Sequence, residues 1–228
     1  MNAVLRAFPE GAAQSLYPHL ALLDLPSDEV LIESGGSLTW VYFPVEALIS
    51  TSHVMQDGSS VGIALTSNEG MVGSETVLGS SEAIGQSQVM HPGFVYRLSA
   101  ERLKHEIERD TDFRKVLLNY ERYLLGQIIQ NGACSRLHNV PQRFCRLLLC
   151  MLNRLQDNEV NLTQDSIAGI LGVRRESVSE VASQLQEAGV IRYSRGHMRI
   201  LDRSHLEHSS CECYFRLKAR LAKLQQLP

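Results

Sequence analysis

The chain has 228 residues, of which 44% are hydrophobic, 21% charged and 6% aromatic, and its formal net charge is −3. This composition supplies apolar material for one large or two modest cores and excludes a disordered chain. No apolar run reaches the ~18 residues that cross a bilayer. Met1 to Glu10 also lacks a basic head followed by an apolar run, so no signal peptide is expected. The five cysteines are expected as reduced thiols of a cytoplasmic protein.

The charge is unevenly spread. Residues 1–138 hold 9 Lys and Arg against 16 Asp and Glu, a net of −7, while residues 139–228 hold 13 against 9, a net of +4. A basic back half is where a nucleic acid would bind. Between Ala7 and Tyr96 there is no Lys or Arg, against ten acidic residues.

Residues 1–20 read as short helices with Leu5, Phe8, Leu16 and Leu20 on the apolar face. From Leu22 to Leu98 the pattern is one of short strands: Glu29–Glu33, Trp40–Phe43, and Ala47–Met55 with Val61–Thr66 around the turn Gln56-Asp57-Gly58. Gln88–Leu98 reads as another hairpin, turning at His91-Pro92-Gly93. Many short strands with Gly-rich turns predict a β-barrel or jelly roll. Ser99 is placed to cap a helix, and residues 112–138 form one long helix. Phe113, Leu117, Tyr120, Leu124, Gln127, Asn131, Cys134 and His138 follow a 4-3-4-3 spacing along it. The barrel of the same chain could cover this seam, but a helix this long rarely hides in one small domain, so a second copy is the expected partner, with Phe113, Leu117, Tyr120, Leu124, Gln127, Ile128 and Asn131 as the interface.

Asn139-Val140-Pro141 breaks the helix and divides the chain into a barrel (1–111), a candidate dimerisation helix (112–138) and a C-terminal domain (139–228). The latter holds a helix over roughly 141–156, short helices over about 163–171 and 174–187, a hairpin over 190–201 turning at Arg195-Gly196, and one final helix. That helix carries Leu206, Cys213, Leu217, Leu221 and Leu224 on one stripe. The fold class is thus α+β.

The segment Leu162–Ala182 has the chemistry of a helix-turn-helix. Thr163 is an N-cap, Ala168 lets the helices cross closely, Gly172 suits a left-handed turn, and Val178 plugs the angle. Arg174, Arg175, Glu176, Ser177, Ser179 and Glu180 on the second helix, with Thr163 and Gln164 on the first, are the residue types that reach base edges and phosphates. Arg195, with Arg192, His197 and Arg199, makes a basic wing.

The order of barrel, long helix and winged helix-turn-helix resembles the Crp/Fnr family. So do Glu69-Gly-Met-Val-Gly73, the run Leu162–Val178, and the tail Arg192-Tyr-Ser-Arg-Gly196 with Cys211-Glu-Cys-Tyr214. The resemblance implies a homodimeric transcription regulator on double-stranded DNA, with RNA polymerase as a further partner. Arg175 and Glu176 match the family's base-reading pair. Glu180 stands where a second base-reading arginine is common, so the half-site should differ. Arg174 replaces the usual N-cap serine, a loss of about 1 kcal/mol.

The sensor half departs further from the family. The phosphate-binding Arg-Ser pair is missing from Glu82-Ala-Ile-Gly-Gln86, and Ile128 and Ile129 occupy the adenine-contacting positions. An N-terminal cysteine cluster is absent as well. Cyclic AMP is therefore not the expected effector; an uncharged ligand, haem, a partner protein or none is. An anionic effector would need a different pose, using Arg97, Arg122 or Arg136. His53 and His91 read as structural residues, and no cofactor is expected.

His205, His208, Cys211 and Cys213 crowd into nine residues. On a helix, however, a Cys-x-Cys pair diverges by about 200°, so no metal site is expected there. Cys134, with no cysteine near it in sequence, reads as buried and inert. Neither a catalytic triad, a carboxylate pair nor a phosphate loop is present, so an enzyme is not expected.

Overall fold

The strands of the N-terminal half close as two sheets. The computed structural model, which describes residues 1–155 and 157–225, pairs β1 (Ala21–Leu25), β7 (Gly93–Ser99) and β3 (Trp40–Pro44) in the order β1-β7-β3. The second sheet runs β2-β6-β4-β5, from β2 (Val30–Ile32), β6 (Gln86–His91), β4 (Leu48–Val54) and β5 (Ser60–Thr66). All pairings are antiparallel. Ile49, Val72, Val89 and Val95 fill the space between the sheets. The expected hairpin at His91-Pro92-Gly93 is instead a corner, since β6 and β7 belong to different sheets. Proline, lacking an N–H, ends the β6 ladder there.

On the outer face of the first sheet lie α1 (Ala3–Arg6), α2 (Glu10–Leu16) and α3 (Ala100–Arg109), together with α4 (Thr111–Leu137). Leu5, Phe8, Phe43, Leu103, Phe113 and Leu117 form their shared core. Asn2 anchors this layer: its carbonyl oxygen accepts from Val4 N–H at 2.9 Å, and its amide donates to Pro44 O at 2.8 Å and Gly70 O at 2.7 Å.

The 4-3 stripe of α4 turns inward. Phe113, Leu117 and Tyr120 are buried in the core of their own chain, Leu124 packs against it, and Cys134 is fully buried. The polar end of the stripe serves the sheet. β5 is an edge strand, and edge N–H and C=O groups need partners. Gln127 Oε1 accepts from Leu65 N–H at 2.9 Å, and Asn131 Nδ2 donates to Ile63 O at 2.9 Å. Phe113, Leu117, Tyr120 and Gln127, expected to face a second copy, are instead covered by their own chain, and Asn131 is partly covered. Leu118, Leu125, Ile129 and Leu137 lie on the exposed side of α4.

The C-terminal half contains α5 (Val140–Leu155), β8 (Glu159–Asn161), α6 (Gln164–Leu171), α7 (Arg175–Glu187), β9 (Ile191–Ser194), β10 (His197–Ile200), α8 (Arg203–Ser209) and α9 (Cys213–Gln225). Gln156, the expected end of α5, lies outside the described residues. The expected single final helix is two, broken between Ser209 and Cys213. The halves share a core, since Leu48, Leu65 and Met90 of the barrel pack in the cluster that includes Phe144, Leu148 and Ile167. α6 lies against β5 so closely that a Cβ on Gly62 would stand 2.8 Å from Ile170.

Glu69-Gly-Met-Val-Gly73 ties these layers together. Glu69 accepts from Arg154 Nε at 2.7 Å, with both side chains almost wholly buried. Arg154 also donates to Tyr123 Oη on α4 at 3.2 Å. Tyr120 Oη donates to Met71 O at 2.8 Å, and a Cβ on Gly70 would stand 2.5 Å from the Tyr120 ring. Tyr120 is buried and hydrogen-bonded, so it has no room to yield. Gly70→Ala should therefore destabilise the protein by about 1–3 kcal/mol. Gly11→Ala, on α2 with open space around it, should be stabilising by up to about 1 kcal/mol. Urea unfolding of both variants checks this; equal midpoints for the two would contradict the packing at Gly70.

Candidate nucleic-acid interface

Short-range chemistry builds the helix-turn-helix. Thr163 caps α6, its hydroxyl accepting from Ser166 N–H at 3.0 Å. Gly172 ends α6 in the left-handed conformation at φ +62°, where any side chain is strained. Ile167, Ala168, Leu171, Val178 and Ala182 are buried in the angle between α6 and α7. Arg174 sits at the N-cap of α7 and makes no side-chain cap bond, as its replacement of serine implies.

Arg174, Arg175, Glu176 and Glu180 are exposed around the first turns of α7, with Ser177 and Ser179 partly covered. Arg175 faces Asp165 at 3.7 Å, and both are well exposed. Such a pair is worth little in water, so it does not commit the Arg175 guanidinium to Asp165. Gln164 Oε1 accepts from Ser179 Oγ, which fixes the first helix to the second. The helix N-terminus contributes unpaired N–H groups and a positive dipole end.

The wing is a three-stranded sheet in the order β8-β10-β9. Its turn residues Arg195 and Gly196 both have positive φ, at 50° and 85°, the geometry of a type I′ hairpin turn. Gly196 O accepts from Leu162 N–H at 2.7 Å, and Tyr193 Oη donates to Leu162 O at 3.0 Å. These bonds lock the wing tip beside the entry to α6. Arg192, Arg195 and His197 are exposed, and Arg199 pairs with Glu159. α7 and wing thus present one basic edge to solvent. β8, which completes that sheet and holds Glu159, was not legible in the sequence; only three residues long, it lacks a strand's alternation.

A concavity of about 400 Å³ lies between the barrel and α4. Met71, Val72, Leu78, Ile84, Leu124 and Ile128 line it, with Ser74, Glu75, Glu121 and Arg122 as polar groups. Arg122 is the one cation among the described residues lining it. Arg97, by contrast, stacks over Trp40 at 4.2 Å, and neither His53 nor His91 lines the space. Ile128 faces the cavity as expected, but Ile129 is 62% exposed. Burial pushes the Glu121 carboxyl up to about 7, and its Oε1 has no hydrogen-bond partner among the described residues.

Comparison with known proteins agrees with this architecture. Residues 142–209 match the Crp-like helix-turn-helix domain. The regulator FixK2 from Bradyrhizobium japonicum superposes with a TM-score of 0.73 at 17% identity, over 84% of this chain and 98% of that one. The cyclic-di-GMP-responsive global regulator CLP from Xanthomonas campestris does so at 0.69 and 14%, over 84% and 99%. A CRP-family transcriptional regulator from Thermus thermophilus gives 0.68 and 20%, over 82% and 96%. A search by sequence against curated proteins found no match. Among the described residues no helix is long and apolar enough to cross a membrane. Residues 142–209 thus form a Crp-like helix-turn-helix domain, and the chain as a whole shares the fold of solved Crp/Fnr-family regulators.

Proposed function

We propose that the protein binds DNA sequence-specifically as a homodimer, with α7 in the major groove and the Arg195 wing along the backbone. The observation that carries this reading is the exposed edge formed by Arg174, Arg175, Glu176, Glu180 and Arg195. Two such edges should cover half-sites about 34 Å apart. Arg175→Ala should cost about 1–3 kcal/mol and relax preference at one base position. Arg195→Ala should weaken all sequences alike and flatten the salt dependence. Glu180 accepts from cytosine N4 but repels the acceptor edge of guanine, so Glu180→Arg should alter the preferred half-site. Selection from random DNA, with each variant, reads these effects; uniform weakening by Arg175→Ala would make Arg175 a phosphate contact.

The second copy is proposed to meet α4 on its outer stripe. Leu125 and Ile129 stand 58% and 62% exposed one turn apart, and Leu118 lies two turns before Leu125 on the same side. Apolar side chains repeated along a helix of 27 residues seek a partner. Ile129→Asp should convert the dimer to monomer in sedimentation, since the seam would bury two facing carboxylates. A dimer that survives it would place the interface elsewhere.

The cavity beside α4 is proposed as the effector site, for a largely apolar ligand carrying a hydrogen-bond donor toward Glu121. CLP is described as cyclic-di-GMP-responsive; here a phosphodiester would meet Glu75 and Glu121, with Arg122 alone to offset them. Calorimetric titration with cyclic AMP, cyclic GMP and cyclic di-GMP should show no micromolar binding. Because Glu121 binds its proton more tightly folded than unfolded, it favours the fold most below its ordinary value of 4.5. That contribution is lost as pH rises through about 7. Glu121→Gln should flatten the decline in melting temperature over this window; an unchanged slope would remove Glu121 from the account.

A further inference from the structure

The break between α8 and α9 brings four metal-ligating atoms together. Cys211 lies just before α9 and Cys213 is its first residue, so the pair is not held on helical spacing and its divergence does not arise. Both sulfurs meet Cys134 and His138 from the last turn of α4 and the residue after it. Every pair of donor atoms in this set lies within 4.8 Å. Cys134 Sγ and Cys211 Sγ lie 3.5 Å apart, and Cys213 Sγ and His138 Nδ1 lie 3.7 Å apart. A tetrahedral zinc ion with Zn–S bonds of about 2.3 Å separates its sulfurs by about 3.8 Å. His205 and His208, the sequence neighbours of the cysteines, are exposed on α8 and take no part.

The surroundings suit a closed metal centre. Cys134, Cys211 and Cys213 are each at most 2% exposed and form a cluster of their own. His138 turns Nδ1 inward, while Nε2 pairs with Glu212 Oε2 at 3.0 Å. A carboxylate on the distal nitrogen is what orients a zinc-bound imidazole. Gln130 Nε2 donates to Cys213 Sγ at 3.0 Å, as fits a thiolate. The Arg146 side chain is buried, and its Nε has no hydrogen-bond partner among the described residues.

We propose that Cys134, His138, Cys211 and Cys213 bind one zinc ion as a structural Cys₃His site. Soft thiolates in tetrahedral array with one imidazole select zinc over harder divalent cations. With all four positions taken by protein, the ion has no open coordination site for catalysis. It clips the end of α4, immediately before the break into the DNA-binding half, to the start of α9. Binding displaces the three thiol protons, so affinity falls as pH falls.

The test uses the full chain, purified under reducing conditions. Elemental analysis should find about one zinc per chain. After chelation, cobalt(II) should restore the intense visible bands of a tetrahedral thiolate site, and zinc should bleach them. Glu212→Gln alters no ligand and should weaken zinc binding about 10–100-fold while keeping the cobalt bands. His205→Ala with His208→Ala should bind zinc as the parent does. Cys211→Ser should abolish the tetrahedral cobalt spectrum; where that variant fails to fold, the Glu212→Gln affinity decides. A reduced chain that takes up neither zinc nor cobalt would overturn the proposal. So would a Cys134–Cys211 disulfide that forms in place of metal uptake, or zinc binding that depends on His205 and His208.

Discussion

The contact on which both halves of the molecule depend is the buried pair of Glu69 and Arg154, 2.7 Å apart. Glu69 belongs to the barrel, Arg154 to the last turn of α5, and Tyr123 on α4 shares the guanidinium. Burial opposes the Arg154 charge, and Glu69 more than offsets it, holding the guanidinium above its ordinary range. Such a pair adds little stability over an apolar substitute, but removing one member leaves an uncompensated buried charge. Its effect is therefore on arrangement: the domains have to meet with these two groups in register.

Beside Glu69, the next residues line the concavity against α4. Met71, Val72 and Gly73 form part of its wall, and Tyr120 grips the Met71 carbonyl from α4. One five-residue stretch thus touches the candidate effector space at one end and the DNA-binding half at the other. The exposed edge of β5 adds a second link. Ile63 O accepts from Asn131, whose own oxygen accepts from Arg146 of α5 at 2.7 Å. Further along the same strand, Gly62 admits Ile170 of α6. An edge strand is a liability for aggregation; here its coverage also places the helix-turn-helix.

What the sequence made legible is what short-range physics decides. Ala168, Gly172 and Val178 specify the helix-turn-helix within one segment, and Arg195-Gly196 specifies the wing turn. The 4-3 stripe on α4 marked a buried face correctly, but spacing carries no information on whether the partner is the same chain or another. The barrel takes this face because Gln127 and Asn131 satisfy backbone groups on the edge of β5. Glu69 and Arg154 lie 85 residues apart, and neither shows by its type that it pairs with the other. The Cys-x-Cys pair would diverge only on one helix running through Ser210, and α8 ends at Ser209. Once that helix stops, His138 and Cys134, more than 70 positions away, become the neighbours that His205 and His208 are not.

The central claim is that the barrel and the DNA-binding half are energetically coupled through Glu69 and Arg154. A double-mutant cycle in urea unfolding tests it most directly, using Glu69→Gln, Arg154→Met and the pair together. Each single change should cost about 3–5 kcal/mol, because each strands a buried charge. The double variant should lose markedly less than their sum. Costs that add within about 0.5 kcal/mol would show the two sites to be independent and would contradict the account.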